Sequence, residues 1–311
     1  MSDTTFVRIR RRRQDRRSSS DRIFDFILFS LLTLIFLVVA YPLYFVIISS
    51  ISDPVKVAAG EITLVPIGIT FGGYTAVLGE ENIVRGFLNS LLYTTLGVLF
   101  NLFLTLPTSY ALSRKDFALN KPITLFYLVT MFIGGGMMPT YLVVKGAGML
   151  NTMFALFIPG GIGVYNMIVA RTFFTTNIPS ELLEAAKLDG CGNIKFFFHI
   201  VLPLSGAIIA ILTLYYGIGH WNAYFSALLY ITDRVKWPLQ LELRNILLQN
   251  SWSSAVTAVT VEQMQEKARL QAQAEQMKYS LIIISSLPVM ILYPFIQRHF
   301  VKGVMIGAVK G

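Results

Sequence analysis

Long apolar runs with almost no charge recur along the chain, and they constrain its fold more than any single motif does. Six such runs occur, at about residues 23–51, 85–112, 122–144, 152–174, 204–231 and 279–296. A helix of about 20 apolar residues spans a bilayer because it satisfies its backbone polar groups internally. Only 14% of the 311 residues are charged, against about 25% in a soluble domain. The sequence therefore predicts an all-α polytopic membrane protein whose domain, residues 23–296, has six transmembrane helices.

The distribution of basic residues predicts the orientation. Eight arginines fall within residues 1–22, ahead of the first apolar run. Such a run could bind nucleic acid, but next to a membrane span it better fits a cytoplasmic tail that contacts anionic lipid, so no nucleic-acid partner is expected. Arg114, Lys115 and Lys121 place the next short loop inside by the same rule. Six spans then put both termini in the cytoplasm, with residues 297–311 as an inner tail.

Glycine and proline interrupt two of the apolar runs. Residues 134–136 are all glycine and Pro139 follows, while the next run contains Pro159, Gly160 and Gly161. Such breaks occur in membranes where the backbone is buried or lines a cavity, and small residues also allow close helix packing. Both explanations remain open. Three segments between spans are expected on the outer side. They are residues 52–84, predicted as turns and short helices, residues 145–151, predicted as a short turn, and residues 232–277, predicted as largely helical.

Residues 178–204 form a mixed-charge segment between two apolar runs. Ser180 follows a proline and is a candidate N-cap of a short helix. An apolar stripe at helical spacing is expected from Leu182, Leu183, Ala186 and Leu188. Gly190 is placed to end this helix in a sharp turn, and Pro203 marks the entry to the next apolar run. A short amphipathic helix of this kind could lie on lipid, pack under its own bundle, or dock in a partner's groove.

The same segment carries a long gapped pattern, EAA, three residues, G, nine residues, I-x-LP. This pattern resembles the EAA loop of binding-protein-dependent ABC importer permeases. By that resemblance, the loop is a coupling helix seated in a cleft of a cytoplasmic ATPase subunit. The residues that this implies for ATPase coupling are Glu184, Ala185, Ala186, Asp189, Gly190, Ile200, Leu202 and Pro203.

The resemblance extends over most of the chain and implies a type I ABC importer permease fold in the cytoplasmic (inner) membrane of a bacterium. It implies a heterodimer with a second permease subunit, two ABC ATPase subunits and an extracellular or periplasmic solute-binding protein. ATP and Mg would bind to the ATPase partners, and no cofactor to this chain. The end of the chain resembles a tail that inserts between the ATPase subunits, which assigns that contact to Gly307, Ala308, Val309, Lys310 and Gly311.

Two features favour a sugar, and an oligosaccharide in particular, as the solute. The tail and residues 230–247 resemble those of carbohydrate-type permeases. Aromatic rings beside hydrogen-bonding groups are typical of sugar sites, and an aromatic cluster lies in and above the fifth apolar run. These substrate-pathway candidates are Tyr215, Tyr216, Trp221, Asn222 and Tyr224. An aromatic belt at the membrane interface, with Asn222 as a packing contact, explains the same residues.

Several functions are excluded or disfavoured by what the sequence lacks. It has no phosphate-binding loop of the G-x-x-x-x-G-K-[S/T] type, so the chain is not expected to hydrolyse ATP or to be an enzyme. Cys191 is the only cysteine and the three histidines are scattered, so no metal site is expected. The first alternative is an importer permease for a non-sugar solute, since the EAA loop is shared among type I importers. An ion-coupled secondary transporter would need an ionisable relay inside the spans, and a membrane scaffold would give the EAA pattern no role.

Overall fold

The computed structural model describes residues 19–252, 271–292 and 294, and the regular structure in this part of the chain is entirely helical. A π-helical turn covers Phe197–Val201 and a 3₁₀ turn covers Arg234–Lys236. The α-helices, in chain order, are α1 (Ser19–Ser50), α2 (Pro54–Ala58), α3 (Gly72–Gly79), α4 (Glu81–Ser113), α5 (Asn120–Phe132), α6 (Met137–Gly146), α7 (Phe154–Phe157), α8 (Val164–Asn177), α9 (Ser180–Leu188), α10 (Asn193–Phe196), α11 (Leu202–Leu204), α12 (Gly206–Trp221), α13 (Phe225–Tyr230), α14 (Leu239–Trp252) and α15 (residues 271–292).

The predicted all-α class is confirmed, while the count of six spans stays a prediction. Within the described residues, α1 and α4 are each long and apolar enough to cross a membrane. Two bent pairs raise this number to four if each pair is one span: α5 with α6, at 115°, and residues 193–204 with α12, at 81°. The predicted third span is therefore not one straight helix, because its three consecutive glycines separate α5 from α6.

The fourth and fifth predicted spans also differ in length from the helices that form. The break expected at residues 159–161 is confirmed, and it leaves α8 with only 14 residues. The fifth helix ends at Trp221 and not at residue 231, because a turn at residues 222–224 separates α12 from α13. The predicted turns and short helices of residues 52–84 are confirmed as α2 and α3.

Helix α1 stands apart from the rest by its surface. An 18-residue stretch of this helix has a mean hydropathy of 2.7, and none of that stretch is buried within the chain. Its packing within the described chain is concentrated in its C-terminal part, where Phe45 and Ile48 join Val57 and Ile62 in a small apolar cluster. Gln276 of α15 donates to the carbonyl of Ser52 at 2.7 Å, which ties this end of α1 to α15. An apolar helix face with no protein against it suits contact with lipid tails.

Helix α4 is the axis of the bundle and carries a buried stripe of small or polar residues at every fourth position. These residues are Gly97, Asn101, Thr105 and Ser109. The three polar side chains are fully buried, and all of them bond across helices. Ser109 donates to the carbonyl of Met167 in α8 at 3.1 Å. Small residues at this spacing allow close approach of helices, and interhelical hydrogen bonds replace water inside the membrane.

The first part of the predicted outer segment 232–277 is folded onto α4. Asn89 of α4 donates to the carbonyls of Val235 and Trp237, at 2.8 and 3.0 Å. Beside them Glu242 of α14, only 1% exposed, accepts two hydrogen bonds from Arg234 at 2.9 and 3.0 Å. Residues 253–270 of this segment lie outside the described residues. The expected helix is confirmed where the structure describes it, in α14 and in the first turns of α15.

Candidate functional site

Residues 178–204, which carry the EAA pattern and are called the EAA segment below, begin with α9. The start of this helix differs from the sequence prediction. Ser180 is the first helical residue, Pro179 takes the N-cap position, and no side chain bonds to the free amides there. The prediction of Ser180 as N-cap is therefore wrong by one residue, because the extended backbone of Pro179, at φ −61° and ψ 142°, already marks the helix boundary.

The apolar stripe expected on α9 is divided between two faces. Ala186 is buried and packs, with Leu183, into the main core. Leu188 points the other way and is 90% exposed, and Leu182 is 39% exposed. The helix is thus anchored through Leu183 and Ala186 and leaves two other leucines on its free side. Exposed apolar groups on a helix that is already anchored are typical of a partner-binding surface.

The turn predicted at Gly190 is confirmed in atomic detail. Gly190 has φ +73°, the left-handed region that favours glycine. The amide of Gly190 bonds to the carbonyl of Lys187 at 3.0 Å, and that of Cys191 to the carbonyl of Ala186 at 2.8 Å. This pair of bonds is a Schellman motif, which satisfies the last carbonyls of α9.

The second half of the segment carries the chain back into the bundle. Phe196 and Phe197 are buried, and both rings lie against Tyr110 of α4, with centroids at 6.4 and 5.3 Å. Ile200 and Leu202 are half-buried against the same core. Pro203 is exposed at the bend into α12, where the hydroxyl of Ser205 donates to the carbonyl of Val201 at 2.6 Å. Helix α10 is thus packed on α4 and continues through the π-helical turn toward α12.

The motif residues thus have two kinds of environment. Glu184, Ala185, Asp189, Gly190 and Pro203 are exposed, whereas Ala186 is buried. Ile194 of α10 is also 77% exposed. Next to α9 and the end of α4 lies an open groove of about 620 Å³, whose lining includes Glu184, Glu181 and Lys187.

A polar clamp holds the two helices of the segment to the end of α4; its members are Arg114, Asp116, Lys187 and Asn193. Arg114 binds both carboxylate oxygens of Asp116, with its Nε at 2.8 Å from Oδ1, and donates to Asn193 of α10 at 2.7 Å. Lys187 of α9 reaches the same carboxylate at 3.3 Å. The guanidinium also lies 6.0 Å from the Tyr110 ring. In the sequence Arg114 indicated only the orientation of the chain in the membrane, and Asp116 and Lys187, 71 residues apart, gave no sign of this contact.

If this segment couples to an ATPase, as the resemblance implies, replacement of Asp116 by asparagine should reduce the solute imported per ATP hydrolysed by about two- to fivefold, the range for a partly exposed ion pair. The hydrogen bond from Arg114 holds the pKa of Asp116 well below its usual value. Its stabilisation is thus complete above the ordinary pKa of aspartate and is lost only as pH falls through the lowered one. The coupling ratio of the wild type, measured in proteoliposomes, should then be constant between about pH 5 and 8 as far as this clamp determines it.

The matched control is Glu81→Gln, which removes an exposed ion pair with Arg85 at the other end of α4. It should leave the coupling ratio unchanged. An equal effect of both substitutions would show that the clamp has no special part in coupling.

The aromatic substrate-pathway candidates do not form one cluster. Trp221 is 4% exposed and donates its indole N–H to the carbonyl of Ser285 in α15 at 2.8 Å. Tyr216 is 7% exposed and packs in the main core. Tyr215, Asn222 and Tyr224 are exposed instead. In this conformation, of the five candidates, only these three have exposed surface that a solute can contact.

The sequence did not predict the buried polar network that lies behind these residues. Asn101 donates to the carbonyls of Gly160 and Gly161, both at 2.9 Å, and its Oδ1 lies 2.6 Å from Nε2 of His220. The Tyr216 hydroxyl lies 2.7 Å from that of Thr105 and accepts from the amide of Gly163 at 3.1 Å. These bonds fix the break between α7 and α8. The recurrence of small and polar residues at every fourth position of α4 was the sequence pattern that could have revealed it.

Two further predictions concern the C-terminal tail and the absence of a metal site. The tail residues Gly307, Ala308, Val309, Lys310 and Gly311 lie outside the described residues. In the part of the chain that the structure describes, no group of three or more His, Cys, Asp or Glu side chains is placed to hold a metal ion.

Comparison with known proteins agrees with this architecture. Residues 65–306 match the family of binding-protein-dependent transport system inner membrane components. The polygalacturonan/rhamnogalacturonan transport system permease protein YtcP of Bacillus subtilis is 36% identical over 292 residues, 94% of this chain and 99% of that protein. The melibiose/raffinose/stachyose import permease protein MelC of the same organism is 26% identical, over 79% and 83% of the two chains.

A solved structure extends this likeness to three dimensions. A chain of a bacterial ABC transporter involved in the import of the acidic polysaccharide alginate superposes with a TM-score of 0.82 at 29% identity. The match covers 91% of this chain and 99% of that one. The protein described here therefore belongs to the family of binding-protein-dependent transport system inner membrane components, the membrane-embedded permease subunits of ABC transporters that work with ATPase and binding-protein partners.

Proposed function

We propose that this chain is a permease subunit of an ATP-driven importer that carries an oligosaccharide across the cytoplasmic membrane of a bacterium. The single observation that supports coupling to an ATPase is the way the EAA segment is mounted on the bundle. It is anchored to the bundle by Ala186, Phe196 and Phe197 and leaves Glu184 and Leu188 free. A rigidly mounted helix with an exposed acidic and apolar face suits a groove in a soluble partner.

In this mechanism the chain contributes movement and not chemistry. ATP and Mg bind to two ATPase subunits, whose approach displaces their grooves and the α9–α10 pair seated in one of them. Because α10 continues through the π-helical turn into α12 and packs on α4, the displacement reaches both helices at once. A heterodimer of this chain and a second permease, with six spans each and cytoplasmic termini, would then alternate between outward-open and inward-open states.

The names of similar proteins support a sugar as the solute. These proteins include permeases for polygalacturonan/rhamnogalacturonan and for melibiose/raffinose/stachyose. The exposed Tyr215, Asn222 and Tyr224 offer the aromatic and hydrogen-bonding groups that sugars need. A non-sugar solute is the second candidate, since a similar protein from Brucella suis is an sn-glycerol-3-phosphate transport system permease. A secondary transporter without an ATPase would leave the free face of the EAA segment unused.

The test is gentle detergent extraction of the chain from its native membrane, followed by mass spectrometry of what accompanies it. We expect a second permease and a P-loop ATPase, and a solute-binding protein when the membrane is cross-linked first. That binding protein is then tested against neutral and acidic oligosaccharides, amino acids and phosphate esters. Repeated recovery of the folded chain alone would refute the importer assignment, and a binding protein that ignores every sugar would refute only the solute.

A further inference from the structure

One cationic side chain near the exposed aromatic residues differs from its neighbours. Arg234 and Lys236 lie close in sequence to Arg244 and pair with the carboxylates of Glu242 and Asp233, at 2.9 and 3.9 Å. Arg244 of α14 is half-buried, and its guanidinium carbon lies 5.9 Å from the centre of the Tyr224 ring. Among the residues that the structure describes, no carboxylate forms an ion pair with Arg244.

An arginine in this position has a physical requirement. A guanidinium is a fixed positive charge with five N–H donors and no acceptor. A half-buried charge beside an apolar bundle is unfavourable unless an opposite charge or water reaches it. The face of Tyr224 provides part of the compensation through a cation–π contact. An anionic group bound next to that ring would provide the rest.

Exposed polar and aromatic residues precede the pair of Arg244 and Tyr224 along the chain. Tyr215 lies on the exposed face of α12, and the exposed Asn222 and Tyr224 lie in the turn that follows this helix. The Tyr215 ring lies 6.4 Å from the ring of Tyr165 in α8. We call these five residues the polar strip. It contrasts with the exposed face of α1, which is apolar over an 18-residue stretch.

We propose that the polar strip admits an acidic sugar, with Arg244 binding the carboxylate of a uronate and Tyr224 stacking on its ring. Guanidinium matches a carboxylate through two parallel hydrogen bonds, and the apolar face of a pyranose packs against an aromatic ring. A neutral sugar would leave Arg244 without an anion, so the strip favours charged over neutral solutes. This inference rests on the proposed sugar import and names the chemical class of the solute.

The experiment uses the complete complex in proteoliposomes with its own binding protein. Uptake of trigalacturonate is compared with uptake of a neutral sugar. The neutral sugar is the methyl ester of trigalacturonate or the neutral oligosaccharide that the binding protein binds best. Arg244→Gln should lower trigalacturonate uptake about tenfold or more, the effect of losing a charge-assisted hydrogen bond. Neutral uptake should change less than twofold. Arg244→Lys should restore part of the loss, because the charge returns without the planar fork.

The matched control is Lys145→Gln. Lys145 is an exposed cation in the last turn of α6 without an ion pair in the described part of the chain. It should leave both rates unchanged. Tyr224→Leu should slow both sugars, and Tyr224→Phe neither, if the ring acts as a stacking surface.

Five results would overturn the inference. An equal loss of charged and neutral uptake in Arg244→Gln would assign this side chain to folding. If that loss appeared only with phosphatidylglycerol in the vesicles, the anion would be a lipid headgroup. Unchanged trigalacturonate uptake in Arg244→Gln, or a binding protein that retains only neutral sugars, would refute acidic recognition while leaving sugar import standing. A wild-type complex that imports no sugar at all would refute the proposed function itself.

Discussion

Replacing Glu184 by lysine is expected to leave the chain folded in the membrane while lowering solute uptake at least tenfold. Glu184 is exposed on α9 and lines the open groove, and its side chain makes no hydrogen bond or ion pair within the described residues. Its loss should therefore cost the chain itself almost nothing. Reversal of a charge at an interface costs several kcal/mol when it then faces a like charge. A large loss of transport would thus report the partner and not the fold.

The measurement is uptake and ATP hydrolysis in the same proteoliposomes, with the amount of folded chain checked by detergent size-exclusion chromatography. Glu61→Lys makes the same charge reversal at an exposed position in the segment between α1 and α4, and it should keep normal uptake. Adding Gly190→Asp to Glu184→Lys should deepen the loss, because Gly190 has φ +73° and a side chain there strains the turn by about 1–2 kcal/mol. Normal uptake in the double variant would refute docking through this segment.

The second large effect is expected from Gly97→Ala in the centre of the bundle. A Cβ at this position would lie 2.7 to 2.9 Å from three atoms of the His220 ring. The ring cannot move aside freely, because its Nε2 is held 2.6 Å from Oδ1 of Asn101. Overpacking of a tight core costs about 1–3 kcal/mol, and here it separates α4 from α12. We expect the midpoint of thermal unfolding in detergent to fall by several degrees, at about 2–4 °C per kcal/mol.

Gly217→Ala is the matched control on the facing helix. The nearest atom to its added Cβ is Cγ2 of Val98, at an ordinary contact distance of 3.9 Å. Alanine is the better helix former by about 1 kcal/mol, so this variant should unfold at the same or a slightly higher temperature. Equal midpoints for the two variants would show that the close approach of α4 and α12 does not depend on Gly97.

The tertiary structure also decided which residues of the predicted sites are available. Trp221 and Tyr216 looked equivalent to Tyr215 and Asn222 in the sequence, since all four are polar or aromatic residues in one apolar run. Helical periodicity places residues 216 and 221 on a different face from 215 and 222. Only the packing of α12 against α4 and α15 determined which face is buried.

Local chemistry made the helices, the breaks between them and the turn at Gly190 predictable from the sequence alone. Apolar runs predicted helices because a backbone in lipid must bond to itself. The glycines at 134–136 and 160–161 and Pro159 predicted breaks because they destabilise any helix interior, and Gly190 predicted a turn because its left-handed backbone favours glycine. The clamp from Arg114 to Lys187, the network around Asn101 and the placement of Arg244 beside Tyr224 came only from the tertiary structure. Each joins residues far apart in the chain, and the contact energies that select such pairs depend on how whole helices pack.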